Sequence, residues 1–407
     1  MKSPADPAVH SPRLTIVLAL LSTLGPFTID TFFPSMRAMA AEFGISYWQV
    51  QQTLTAYLVP YALMSLVHGS LSDALGRRRV VIAGLLLYVL ASAGCALAPG
   101  FTSLLVCRAL QGMVGGVGHI ISRAVVRDCY SGSQAQKVMS AITMVFSLGP
   151  ALAPVIGGWV HVWFGWRAVF AFMAIFGLLL CALVIRKLHE TLPPSQRTPL
   201  HVGAIAGNTL SILRHPEFLR LTGASGLCFI ALHTYIGAAP AIIFDHWHLK
   251  ETSFAALTLP VIGGYAFGAF CSGRLAGRLP PDRQANMGYA MLTATSAAML
   301  LLQFLVRDPP LLPQQLLLAA TAVGLQLMFP IVTLRILDIF SETRGTAASA
   351  HSFVSLLLAA VMMGALAPWF AVSMRRLALN AFLVNLAGVL VWRSALRYRR
   401  RAAMDGA

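Results

Sequence analysis

Charge is scarce in this 407-residue chain: 11% of residues are charged, with 14 Asp and Glu against 30 Lys and Arg. A soluble domain is typically about 25% charged. Its six cysteines (Cys95, Cys107, Cys129, Cys181, Cys228, Cys271) contain no CxxC spacing and fall mostly in apolar runs. That argues against a disulfide framework or a metal motif, and they read as small apolar residues. Alternating segments of about 10 residues, the mark of a membrane β-barrel, are missing. No GxxxxGK[ST] phosphate loop occurs, so a P-loop ATPase is excluded. No cluster of His, Asp or Ser gathers at one interface, which argues against a membrane-embedded enzyme. No added soluble domain suggests a sensor.

What is present is apolar. The chain is 57% hydrophobic with a mean hydropathy of +0.73. Runs of about 20 apolar residues recur, each long enough to cross a core of roughly 30 Å. Twelve such runs lie near 14–35, 47–70, 80–98, 102–126, 138–160, 166–186, 217–241, 253–273, 286–306, 312–336, 346–368 and 377–396. The expected fold is an all-α membrane protein of twelve transmembrane helices in two pseudo-symmetric six-helix halves. The expected domains are 1–188, a polar linker 189–216 rich in proline, and 217–407 with a basic tail. Lys2, Arg13, Gly25, Pro26 and Asp30 occur in or before the first run. It is read as an uncleaved first span, not a signal peptide.

The +16 net charge raises the question of nucleic acid, but no recognition fold is visible. The basic residues crowd instead into alternate short connections. With the N-terminus inside, 23 of the 30 Lys and Arg fall on the cytoplasmic side. That bias sets topology in membrane proteins and predicts both termini in the cytoplasm. The terminal run Arg393, Arg397, Arg399, Arg400 and Arg401 reads as an anchor at an anionic surface.

Asp30 is the only acid deep inside any apolar run. A carboxylate there costs roughly 2.5–3.5 kcal/mol on insertion scales, and such groups usually face water and handle protons or ions. Gly25, Pro26 and Pro34 flank it, so the first span is expected to be irregular there, which suits a cavity wall. Arg108 lies about six residues into the fourth span, roughly 9 Å deep at 1.5 Å per residue. It reads either as a snorkelling anchor or as a cation that acts on Asp30 or on substrate.

A weak repeat links the halves. Gly69-Ser-Leu-Ser-Asp-Ala-Leu-Gly ends the second run and Gly273-Arg-Leu-Ala-Gly-Arg-Leu the eighth. The first continues into Arg77-Arg78-Arg79 and resembles the loop signature of the major facilitator superfamily, with Ala74 where that family often has Arg. Arg108-Ala-Leu-Gln111-Gly112-Met-Val-Gly115-Gly116 resembles its fourth-span motif. Gly149-Pro150-Ala-Leu-Ala-Pro154-Val-Ile-Gly157-Gly158 resembles the fifth-span motif of its drug:proton antiporters. Leu24-Gly25-Pro26-Phe27-Thr28-Ile29-Asp30-Thr31-Phe32-Phe33-Pro34 is similar to span one of the Bcr/CflA drug-resistance branch. Arg127-Asp128-Cys129-Tyr130-Ser131-Gly132 and Arg344-Gly345-Thr346-Ala347-Ala348-Ser349 fit the same branch.

The resemblance implies proton-coupled efflux of small amphipathic drugs (amphenicol-, bicyclomycin- or sulfonamide-like) from a bacterial inner membrane by a monomer. A proton-coupled metabolite carrier of the same fold is the alternative. No cofactor beyond the proton gradient is expected, and the partners are drug, protons and bilayer, with no nucleic acid. Asp30, Arg108 and Gln111 are the expected coupling or substrate residues. Asp73, Arg77, Arg127 and Asp128 are the expected gate. The family implies that Asp73 meets a helix end of the other half, where an acid is favoured. An Arg77–Asp128 ion pair is expected as a latch, with Arg78 and Arg79 plain anchors. Gly149, Pro150, Pro154, Gly157 and Gly158 are expected to give close helix packing and a kink. Gln52, Tyr57, Tyr61, His233, Tyr235 and Gln326 are the expected cavity lining. His119, His233 and His351 read first as packing histidines. Asp245-His246-Trp247-His248 has metal-like spacing but too few ligands, so no metal is expected.

Overall fold

The computed structural model describes residues 12–130, 132–341 and 343–405. All of its regular structure is helical, because a backbone crossing lipid must satisfy its own hydrogen bonds. The chain divides into two compact units, Met1–Val202 and Gly203–Ala407, a division that falls inside the polar linker.

Unit 1 holds α1 (Pro12–Asp30), α2 (Met36–Phe43), α3 (Tyr47–Ser65), α4 (His68–Leu75), α5 (Arg77–Ala96), α6 (Phe101–Gly115), α7 (Val117–Cys129), α8 (Gly132–Phe164) and α9 (Trp166–Lys187). The first span is Leu14–Phe43, and it breaks where expected. α1 ends at Asp30, and a single 3₁₀ turn, Phe33–Ser35, leads into α2. Pro34 fits that turn because its first residues need no backbone donor. The second span is the pair α3 and α4, bent by 53°. Ser46 caps α3: its hydroxyl accepts from Gln49 N (3.3 Å), while Gln49 Oε1 accepts from Ser46 N (2.8 Å). α8 runs unbroken through Pro150 and Pro154.

Unit 2 holds α10 (Val202–Arg214), α11 (Pro216–Gly237), α12 (Ala239–Ala241), α13 (Ala255–Leu275), α14 (Pro281–Leu305), α15 (Leu311–Ile339), α16 (Arg344–Val361), α17 (Ala367–Ala371) and α18 (Met374–Asp405). Single π-helical turns interrupt its seventh span at Ile242–His246 and its eleventh at Met362–Leu366. α10 occupies half of what the sequence marked as a polar linker. Thr209 and Ile212 are buried on it, and it groups with unit 2.

Among the described residues nine helices are long and apolar enough to cross a bilayer, and two bent pairs raise this to 11. α8, with apolar stretches Lys137–Phe146 and Leu152–Phe164, is the twelfth. The spans differ in burial. In the first, 83% of the apolar window is enclosed by protein, against 28% for the eighth. α1 is therefore a core element of unit 1, packed on α7, α8 and α9, while much of α13 faces outward.

Candidate functional site: a bare acid and a wrapped arginine in unit 1

Small residues bring the helices of unit 1 close together, two of the approaches being onto the span that holds Asp30. An added Cβ on Gly118 would strike the Leu21 backbone, one on Gly157 the Thr31 carbonyl, and one on Gly112 the Tyr57 carbonyl. One on Gly149 would lie in ordinary contact with Pro26, at 3.5 Å. The antiporter-like motif thus lays α8 along the second half of α1, across the turn that follows Asp30. Pro154 and Gly158 are buried in the same helix, and Pro150 is half-buried.

Asp30 is 7% exposed, the only acid so buried among the described residues. Among the described residues it accepts no hydrogen bond and makes no ion pair. Neighbouring hydroxyls are committed elsewhere. Thr31 bonds to the Phe27 carbonyl, and Thr28 Oγ1 donates to Leu24 O at 2.6 Å while 2.7 Å from the Tyr88 hydroxyl. A carboxyl without a fixed partner gains or loses a proton without breaking a protein contact.

Arg108 is the opposite case. It is fully buried, so the snorkelling alternative is set aside. Its guanidinium lies 4.4 Å from the Phe32 ring centre, 4.6 Å from Tyr57 and 5.9 Å from Phe170. Such contacts are worth about 2 kcal/mol or more when desolvated. Nε donates to Thr53 O (3.3 Å) and Nη1 to Gln111 Oε1 (2.9 Å); Nη2 has no partner. Gln111 Nε2 donates in turn to Ser92 Oγ (2.7 Å), and Ser92 donates to the Tyr88 carbonyl (2.7 Å). Tyr88 also meets Thr28 on α1, but through its hydroxyl, a ring's length from that carbonyl, so the hydrogen bonds that start at Arg108 end on the α5 backbone. The two charges themselves form no ion pair. Arg108 and α1 instead share α5 as a neighbour, through Gln111 and Ser92 on one side and through the Tyr88 hydroxyl and Thr28 on the other.

At the helix ends, Arg77 is 7% exposed and pairs with Asp73 four residues earlier and with Asp128 through Nε at 3.2 Å. Its Nη1 donates to Ser72 Oγ (2.6 Å). The expected Arg77–Asp128 pair is present, and Asp73 shares the same guanidinium. Arg127 is exposed beside them. Glu190, which the sequence did not single out, accepts from the Arg77 backbone N–H (2.8 Å), the first turn of α5. Thr191 donates to Asp128 (2.9 Å), and Thr198 N to the Asp73 carbonyl (3.3 Å). Residues 190–198 thus strap this end of unit 1. Gly76, at φ +100°, sits where a side chain would collide with Glu190.

The expected cavity-lining residues scatter. Tyr57 is fully buried and reaches Gly25 O (3.3 Å), so it walls Arg108 and faces no opening. Tyr61 stacks on it at 5.9 Å. Gln52 is half-buried on α3. In unit 2, His233 stacks on Phe229 at 3.7 Å and meets its carbonyl, Tyr235 buries an unbonded hydroxyl, and Gln326 packs at Gly268. His119 lies against Phe146, and His351 meets Thr222 Oγ1 at 3.3 Å. His246 approaches the Ala371 carbonyl (2.7 Å). No group of three His, Cys, Asp or Glu side chains converges among the described residues. Phe32, Phe170, Tyr88, Thr28 and Ser92 were missed by sequence reasoning.

Residues 17–364 match the Major Facilitator Superfamily. The chain belongs to that family, and it is a multi-pass membrane transporter. It is 32% identical over 302 residues (73% of this chain, 74% of the other) to an uncharacterized transporter of the superfamily, YdgK of Bacillus subtilis. It is 29% identical over 276 residues (68% and 69%) to the bicyclomycin resistance protein homolog of Haemophilus influenzae. Among solved structures, peptide transporter POT in complex with sulfate matches with a TM-score of 0.76 over 96% of this chain and 95% of that one, at 16% identity. That likeness speaks for the fold.

Proposed function

We propose that this transporter exports small amphipathic drugs in exchange for protons across the bacterial inner membrane, as a monomer with both termini in the cytoplasm. The similarity to a bicyclomycin resistance protein homolog supports efflux and suggests bicyclomycin, amphenicols and sulfonamides as first compounds to test. The observation that carries proton coupling is Asp30, buried and unbonded. In the outward-facing state a proton reaches Asp30, neutralises it and weakens drug binding. The halves rock, the proton leaves on the inside, and the restored carboxylate favours the next drug. Neutral and cationic compounds suit such a site better than lipophilic anions.

Arg108 keeps a fixed positive charge in the same unit, because its aromatic cage and Gln111 hold it in place. The Arg77–Asp73–Asp128 cluster latches one state and opens in the other. Exchanging one proton for a neutral drug moves one charge, worth about 2.3 kcal/mol per 100 mV. At about 1.4 kcal/mol per decade, this sustains roughly a 50-fold drug gradient before any pH difference is added. No further cofactor is needed. A proton-coupled metabolite carrier is the second reading, since a bare acid suits either cargo.

The test is drug susceptibility of an efflux-deficient host expressing wild type or Asp30→Asn at matched protein levels. Resistance with wild type and its loss with Asn is expected. No resistance to any compound would favour the metabolite carrier, and resistance surviving in Asn would remove Asp30 from the mechanism.

A further inference from the structure

Gly76 opens α5 but has no side chain to cap it, and its φ of +100° suits only glycine well. A residue 113 positions further along caps the helix instead. Glu190 Oε1 accepts from the Arg77 N–H at 2.8 Å and from the Leu192 N–H at 3.2 Å, and Oε2 lies 4.0 Å from Arg197 Nη2. A carboxylate suits that place twice over. It satisfies a backbone donor that the helix itself leaves open, and it meets the positive end of the helix dipole.

The same stretch of linker touches both acids that hold Arg77. Thr191 Oγ1 donates to Asp128 Oδ2 at 2.9 Å, the oxygen that also accepts from Arg77 Nε at 3.2 Å. The Thr198 N–H donates to the Asp73 carbonyl at 3.3 Å. Between them Leu192 is buried. One clasp therefore holds the end of α4, the start of α5 and the end of α7. Only Pro199, Leu200 and His201, all exposed, separate its last bond from α10, which groups with unit 2. Those four steps of chain reach at most roughly 14 Å.

We propose that Glu190 is a positioning residue of the Arg77 gate, and that movement of unit 2 draws it off through this short tether. With the clasp closed, α5 is capped and Arg77 is held between Asp73 and Asp128. When the tether tightens, the linker peels from Thr198 back to Glu190. The cap on α5 is lost, Asp128 gives up one of its donors, and the cluster opens. The inference rests on the cluster being a latch, and on neither the drug nor the proton.

The test is hydrogen–deuterium exchange of the purified full-length protein in mild detergent, without cargo, because exchange reports local opening. The amides followed are 77–80 at the start of α5 and 126–130 at the end of α7. Glu190→Ala should speed exchange about fivefold at 77–80, as for a lost helix cap, and about threefold at 126–130, which Glu190 does not touch. Glu190→Gln keeps an acceptor oxygen and should stay within about twofold of wild type. Inserting Gly-Ser-Gly-Ser between Pro199 and Leu200 should slow exchange at both places, and deleting Leu200 should speed it; lengthening a loop is by itself nearly neutral. Arg77→Gln separates this inference from the reading beneath it. If that variant leaves 126–130 unchanged, the cluster is no latch and both fall. If it speeds 126–130 while Glu190→Ala alters 77–80 alone, Glu190 is an ordinary cap and the proposal is overturned. Insertion and deletion acting in the same direction, or not at all, would overturn it as well.

Discussion

Unit 1 encloses Asp30 and Arg108 within its spans, while the buried polar residues described in the spans of unit 2 are hydroxyls, amides and His351, with no acid, Lys or Arg among them. There, Asn380 donates to Thr234 Oγ1 (3.3 Å), Asn385 to Leu292 O (3.4 Å), and Gln303 to Gln314 (3.1 Å). The ion pairs of unit 2, Arg335–Asp282 and Arg399–Glu217, stand at helix ends. A neutral amide inside lipid closes a hydrogen bond and fixes a helix, at a net gain of about 1 kcal/mol. A charge there is costly and needs a reason. The repeat that duplicated the scaffold has left the buried acid and the buried arginine in one copy. Within that copy the two charges also differ: Arg108 is held by three rings and Gln111, and Asp30 by nothing.

The largest expected effect breaks this contrast directly. Asp30→Asn should remove drug-stimulated proton movement altogether while thermal unfolding of the purified protein stays within a few degrees, because no protein contact to the carboxylate is lost. A carboxylate introduced in unit 2 by Asn385→Asp, added to Asp30→Asn, should not restore it.

Arg108→Ala should cost about 3–5 kcal/mol in stability, from the lost ring contacts and the cavity left behind. Asn385→Ala in unit 2 should cost about 1 kcal/mol. Chemical denaturation in mild detergent reads both, and equal losses would erase the distinction between a wrapped charge and an ordinary amide bond.

Packing gives the next contrast. Gly157→Val forces a side chain into the Thr31 backbone and should cost about 1–3 kcal/mol and slow transport. Gly263→Val in α13 meets nothing within 4 Å and should leave both unchanged.

The last contrast is at the helix ends. Arg77→Gln loses partly buried, charge-assisted bonds and should cost about 1.5–3 kcal/mol. Its counterpart Asp282→Asn should cost under about 1 kcal/mol, because the Asp282 side chain is 48% exposed. A larger loss in unit 2 would reverse the assignment of the tighter latch to unit 1.

Much of this was legible in the sequence for physical reasons. Twelve apolar runs give twelve spans because lipid leaves helices few alternatives. Asp30 stood out because an acid in such a run is costly, and Gly25, Pro26 and Pro34 marked the place where α1 ends. Asp128 and Arg77 were recognisable as partners at neighbouring helix ends. The cage around Arg108 was not, since Phe32, Tyr57, Arg108 and Phe170 come from four spans. A helix apolar on every side gives no phase to say which ring faces where. Glu190 was hidden for another reason: in a polar linker one acid resembles any other until its backbone contact is seen. α10 was obscured by the prolines and polar residues before it.

The most direct test of the central claim uses proteoliposomes that hold wild-type or Asp30→Asn protein, with an imposed pH gradient and bicyclomycin as cargo. Wild type should couple drug movement to proton movement in the opposite direction, and the Asn variant should show neither above protein-free vesicles. Gradient-driven drug accumulation by Asp30→Asn at the wild-type rate would contradict the assignment of proton coupling to the bare acid of unit 1.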